Sequence, residues 1–122
     1  MKLRIKGNSI RLRLSKTDVH KLVEVGCLEE QTSFGLTKLN YVLRVKKEGT
    51  ELSADYRNDT INLYIPEEWA RGWEMNDTIS FDSTIALNDG QELFLLVEKD
   101  FQCLDHTTED QSDNYVNPNK TC

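Results

Sequence analysis

Cysteine is scarce in this 122-residue chain: Cys27, Cys103 and Cys122 make three, an odd number. That excludes a disulfide framework and points to a reducing compartment. Long apolar runs are missing too. The longest, Leu93 to Val97, is five residues, against the roughly 20 that cross a bilayer as a helix. The opening residues form no apolar signal stretch, because Lys2, Arg4, Lys6, Arg11 and Arg13 interrupt them. A cytoplasmic protein with no membrane partner is the expectation. Histidine occurs twice, at His20 and His106. No G-x-S-x-G, P-loop or dinucleotide fingerprint is present. These absences leave little for nucleophilic or acid–base catalysis and favour a non-enzymatic module over an enzyme.

Bases are scarce in the second part of the chain. Up to Lys47 there are eleven Lys and Arg against four Asp and Glu; from Glu48 onward there are four against seventeen. The halves carry +7 and −13, and the net charge is −6. Such a division implies either that one part of the chain covers the other or that a charged partner does. The acidic balance disfavours bulk nucleic-acid binding. At this length the chain makes one domain with one core.

What is present is mostly strand. Leu3 and Ile5 alternate with Lys2, Arg4 and Lys6, and Ile10, Leu12 and Leu14 with Arg11 and Arg13. Gly7-Asn8 suits a hairpin turn, pairing Lys2 with Arg13, Leu3 with Leu12, Arg4 with Arg11 and Ile5 with Ile10. One face is aliphatic and the other a patch of opposed cations, a destabilising arrangement. An acidic segment or a ligand is therefore expected over Lys2, Arg4, Lys6, Arg11 and Arg13. The patch has no interleaved aromatic residue of its own, so a small anionic ligand fits it better than duplex nucleic acid.

Ser15 with Asp18 predicts a helix start, Val19, Leu22 and Val23 its apolar stripe, and Gly26 its stop. Strands follow around Leu28–Phe34, Leu39–Val45, Leu52–Tyr56 and Ile61–Ile65, with Arg57-Asn58-Asp59 as a hairpin loop. Pro66 opens a second short helix on which Trp69 and Trp73 share a face, more simply as a core contact than as a partner surface. Ile79 and Phe81 begin another strand, and Leu93–Val97 reads as a central strand buried on both faces. The expected fold is α+β: a mostly antiparallel sheet of about seven to eight short strands, two short helices and a long C-terminal tail. Residues 1–104 make the sheet domain and 105–122 a polar acidic tail packed on it.

Three blocks stand out: Lys2-Leu-Arg-Ile-Lys-Gly-Asn-Ser-Ile-Arg-Leu-Arg-Leu14, Val97-Glu-Lys-Asp-Phe-Gln-Cys-Leu104, and Glu109-Asp-Gln-Ser-Asp-Asn-Tyr-Val-Asn-Pro-Asn119. Together they resemble a family of small bacterial proteins of unknown function. The resemblance spans nearly the whole chain and implies a single-domain bacterial protein. It implies no activity, cofactor or catalytic residue.

Other candidate sites are thinner. Asp105, Glu109, Asp110 and Asp113 make the tail a candidate cover for the basic hairpin, with Tyr115 and Val116 as apolar anchors. Cys103-Leu-Asp-His106 is half of a metal motif; with Cys122 it offers three ligands for zinc, and Cys27, Asp105 or His20 a fourth. Glu109 to Asp113 with Asn114 or Asn117 lacks the spacing of a calcium loop. Cys103, Asp105 and His106 name the parts of a nucleophilic set, but residues this close in sequence seldom reach the required geometry. The favoured reading is a binding or accessory module with no cofactor, the alternative a small zinc-binding protein. The partner is an unidentified protein, a small anion or a second copy of the chain.

Overall fold

The structure is a computed structural model and describes residues 1–101 and 111–116. The chain runs β1 (Lys2–Lys6), β2 (Ser9–Leu14), α1 (Lys16–Val25), β3 (Cys27–Ser33), β4 (Lys38–Lys46), β5 (Ser53–Arg57), β6 (Thr60–Pro66), α2 (Glu67–Ala70), β7 (Ser80–Ala86) and β8 (Glu92–Lys99). The eight strands form two four-stranded sheets, ordered β1-β2-β8-β7 and β3-β4-β6-β5. An α+β fold is what the pattern predicts. The predominantly antiparallel sheet is not what forms, because both sheets are mixed. Each joins two antiparallel hairpins along their second strands, which run parallel: β2 with β8, and β4 with β6. Short loops dictate how chain neighbours pair, and they say nothing about how one hairpin meets another.

Local chemistry explains the element ends. Gly7 turns the first hairpin at a φ of 54°, where a side chain would be strained. The register places Arg4 opposite Arg11 and Leu3 opposite Leu12, as alternation demands. Ser15 caps α1 in a reciprocal box with Asp18: each side chain bonds the other residue's backbone N–H. Gly26 closes the helix in the left-handed region, its N–H bonding the Leu22 carbonyl at 2.9 Å. Asn58 and Asp59 both take positive φ, giving the two-residue turn between β5 and β6.

The two sheets and α1 share one buried cluster. Leu12, Leu14, Leu95 and Val97 come from the first sheet, Leu43, Leu63 and Ile65 from the second, and Val19 and Leu22 from α1. Leu52, in the loop before β5, joins them, and its backbone N–H bonds the buried Ser83 hydroxyl of β7 at 2.9 Å. Each fully buried Leu or Ile contributes about 1.5–3 kcal/mol of transfer free energy. Strand β8 is central as predicted but buried on one face only: Leu95 and Val97 are enclosed, whereas Phe94 is exposed and Leu96 half-buried. The second helix is also shorter than predicted. It stops at Ala70, and Gly72 turns the chain at a φ of 75°. Trp73 therefore lies beyond the helix. It is fully buried, donates through Nε1 to the Thr78 carbonyl at 2.8 Å, and meets Phe81 edge-on, while Trp69 stacks on the same ring. Both tryptophans are core contacts.

After β8 the chain returns to α1. The Asp100 N–H bonds the Leu14 carbonyl and the Tyr115 N–H bonds the Asp100 carbonyl, each at 2.8 Å. The Asp113 carbonyl then accepts from the Lys16 N–H at 2.9 Å, and its carboxylate from the Thr17 N–H at 3.3 Å. The tail thus caps the first turn of α1 a second time, where free N–H groups and the helix dipole favour an anion. Burial alone would raise the Asp113 carboxyl. Hydrogen bonds from Ser15 and Thr17 and the charge of Lys16 outweigh it and hold the group below the usual carboxylate range. A depressed folded-state pKa adds stability above the unfolded value and loses it as pH falls through the folded one. Asp113→Ala should therefore cost about 1 kcal/mol at neutral pH, in the range of a lost N-cap. The difference from the parent should shrink as pH falls through the acid range. Urea unfolding of both proteins across that range measures it.

Candidate anion-binding site

The outer face of the first sheet is a grid set by register. Lys2, Arg4 and Lys6 of β1 stand beside Arg13, Arg11 and Ser9 of β2, and these beside Glu98, Leu96 and Phe94 of β8. The parallel β2–β8 pairing thus supplies part of the charge that the hairpin lacks. Glu98 Oε1 lies 2.8 Å from Arg13 Nε and 3.4 Å from Arg11 Nε. Lys2 Nζ pairs with the buried Asp100 at 3.0 Å. Among the described residues, Arg4 and Lys6 carry no ion pair. The five predicted residues are therefore brought together, but unequally compensated.

The uncompensated corner is hollow. Arg4, Lys6, Ser9, Ile10, Arg11 and Phe94 line a depression of about 240 Å³. The Ser9 hydroxyl donates to the Lys6 carbonyl at 2.7 Å. Phe94 is 39% exposed, beside Ser9 in the parallel register. Two residues that matter here are missed by sequence reasoning. Phe94 sits in an unbroken apolar run that disguises which face it takes, and Glu98 is 85 residues from its partner Arg13. The one local clue is that Phe94, Leu96 and Glu98 alternate with Leu95 and Val97.

On the outer face of the second sheet one carboxylate gathers several donors. Asp55 accepts from Arg57 at 2.9 Å, and also from Asn62 and Tyr64. The Arg57 bond, aided by these two and opposed by burial, holds the Asp55 carboxyl below its usual range.

The acidic cover expected from the tail is seen elsewhere for its described part: Asp113 binds the start of α1, not the hairpin. Asp105, Glu109 and Asp110 lie outside the described residues, as do the zinc candidates Cys103, His106 and Cys122 and the calcium candidate Asn117. Cys27 is half-buried and accepts a hydrogen bond from Arg44 Nη1 at 3.6 Å. His20 is exposed and bonds Glu74. With Glu24 these form a surface group whose ligand atoms lie within 4.8 Å of one another. Three such atoms are one short of a closed tetrahedral zinc shell. No helix among the described residues is long and apolar enough to cross a membrane.

Residues 1–119 match a family of unknown function, DUF7009, and the chain belongs to that family. No curated protein and no solved structure matches the chain.

The role given to Glu98 is testable. Glu98→Gln leaves Arg11 and Arg13 facing Arg4 and Lys2 with their shared carboxylate gone. It should lower stability by about 1 kcal/mol at low salt. The loss should shrink at high salt, where the cation–cation repulsion is screened. Equal losses at both salt concentrations in urea unfolding would show that Glu98 acts through packing alone.

Proposed function

We propose that this chain is a small non-enzymatic binding or accessory module that takes a compact organic anion on the outer face of its first sheet. The observation that carries the reading is the placement of Arg4 and Lys6, without ion pairs among the described residues, beside Arg11 and the exposed Phe94 in one hollow. An anion seated there offsets the repulsion across the Arg4–Arg11 pair. Guanidinium groups give it charge-assisted, directional hydrogen bonds. Phe94 offers an apolar surface to the organic part of the same ligand. A compact anion suits the site better than a long polyanion, because the chain beyond Lys47 carries −13 and repels an extended run of phosphates. A cytoplasmic setting belongs to the same proposal, supported by the cysteine composition.

Phenyl phosphate and inorganic phosphate are suitable probes, followed by backbone NMR titration. Shifts should centre on Arg4, Lys6, Ser9, Arg11 and Phe94. Hydrogen bonds to charged groups are worth about 1.5–3 kcal/mol each, so an R4A/K6A double variant should bind at least about tenfold more weakly. Phe94→Ser should weaken phenyl phosphate more than inorganic phosphate. Shifts centred on another surface, or affinity untouched in the double variant, would overturn the proposal.

A further inference from the structure

Lys99 ends β8 on the inward face, and it is 5% exposed. Its ammonium donates to the Asn76 carbonyl at 2.8 Å. It lies 4.9 Å from the centre of the Tyr115 ring and 5.8 Å from that of Trp73. Among the described residues no carboxylate lies within ion-pair distance of it. A lysine is rarely enclosed without an anionic partner. Here one carbonyl and two ring faces replace the water that the charge has lost. Lys99 is also not sealed away. It lines a cavity of about 520 Å³ whose other walls include Ile79, Phe101 and Tyr115, with Glu74, Asp77 and Lys16 as the remaining charged groups. A buried amine, apolar and aromatic walls, and carboxylates on the same cavity are the parts of a site where a lysine acts as a nucleophile.

We propose that Lys99 is a carbonyl-binding residue that forms an imine with a small aldehyde or ketone, aromatic or short-chain, seated in this cavity. The neutral amine nitrogen attacks the carbonyl carbon to give a carbinolamine. The nitrogen then loses its proton, the hydroxyl leaves as water, and a C=N bond replaces C=O. No oxidant or reductant is consumed. Asp77 and Glu74, the latter also bonded to His20, line the cavity and would carry the protons; Lys16, another lining residue, favours a carbonyl compound with an anionic substituent. Burial favours the neutral amine and lowers the Lys99 pKa, against a smaller opposing effect of Asp77. This site is independent of the outer face of the sheet, and either can fail without the other.

The test uses the unmodified full chain. Benzaldehyde and 4-carboxybenzaldehyde are added near neutral pH with a hydride donor that reduces imines, and labelled lysines are located by peptide mapping. Lys21 and Lys38, both exposed, serve as internal references. Lys99 should be labelled at least about tenfold faster than either, since only the neutral amine reacts. The pH at half-maximal labelling should lie below that of the references. The carboxylated aldehyde should label Lys99 faster than the plain one. If Lys99 labels no faster than Lys21 in the native protein, the ammonium is a static cation–π contact and the proposal is wrong. Labelling of Lys99 only in urea would overturn it equally. Lys99→Met is a second check: it should abolish the fast phase, and a fast phase that survives would also overturn the assignment.

Discussion

The pairing of β2 with β8 is the constraint on which this molecule depends. It is parallel, joins the two ends of the domain, and fixes what each face of the first sheet carries. Inward, it sets Leu12 beside Val97 and Ile10 beside Leu95. Outward, it places Glu98 between two arginines and Phe94 beside the hairpin turn. The opposed cations of the hairpin cost roughly 0.2–1 kcal/mol per pair. Burying Leu12, Leu14, Leu95 and Val97 is worth several times that. The packing therefore decides the register, and the electrostatics must be accommodated within it. The opposed cations can persist because the energy that keeps them together comes from the other face of the same strands.

The second sheet repeats the arrangement. Its hairpins also meet along their second strands, β4 beside β6. The outer faces of the two sheets carry different polar groups. On the second, Asp55, Asn62, Tyr64 and Arg57 form a closed set. On the first, compensation among the described residues reaches Arg11, Arg13 and Lys2 and does not extend to the corner with Arg4 and Lys6. What marks the anion site is that Arg4, Lys6 and Arg11 converge with Phe94 on one hollow.

Much of this is legible in the residues. Alternation gives the register of the first hairpin down to each pair. Ser15, Asp18 and Gly26 mark both ends of α1, and Asn58-Asp59 the hairpin turn, because capping and positive φ are local demands that local residues meet. What cannot be read is long-range. No loop announces that β2 and β8 are neighbours, so the pattern suggests a mostly antiparallel sheet. Phe94 reads as buried on both sides because Leu93 to Val97 has no polar interruption. Asp113 reads as a counter-charge for the hairpin, since nothing in its surroundings names the open N–H groups of α1 as a nearer demand. Lys99 carries no signal at all; its significance rests on Trp73 and Tyr115, brought to it from opposite directions along the chain.

The tie between β2 and β8 also imposes an order on assembly. During synthesis β2 emerges early and must wait for β8 before its second edge is covered, with Arg13 and Glu98 separated by 85 residues. Until then its N–H and C=O groups on that side are open to another chain. The second sheet lies between Cys27 and Pro66 and can complete its pairings without either end of the molecule. Contacts of such long range slow folding, because loop closure must precede the reward. In that waiting interval the cations of β1 and β2 keep nascent copies apart. The charge that strains the finished hairpin thus protects the unfinished fold from its own kind.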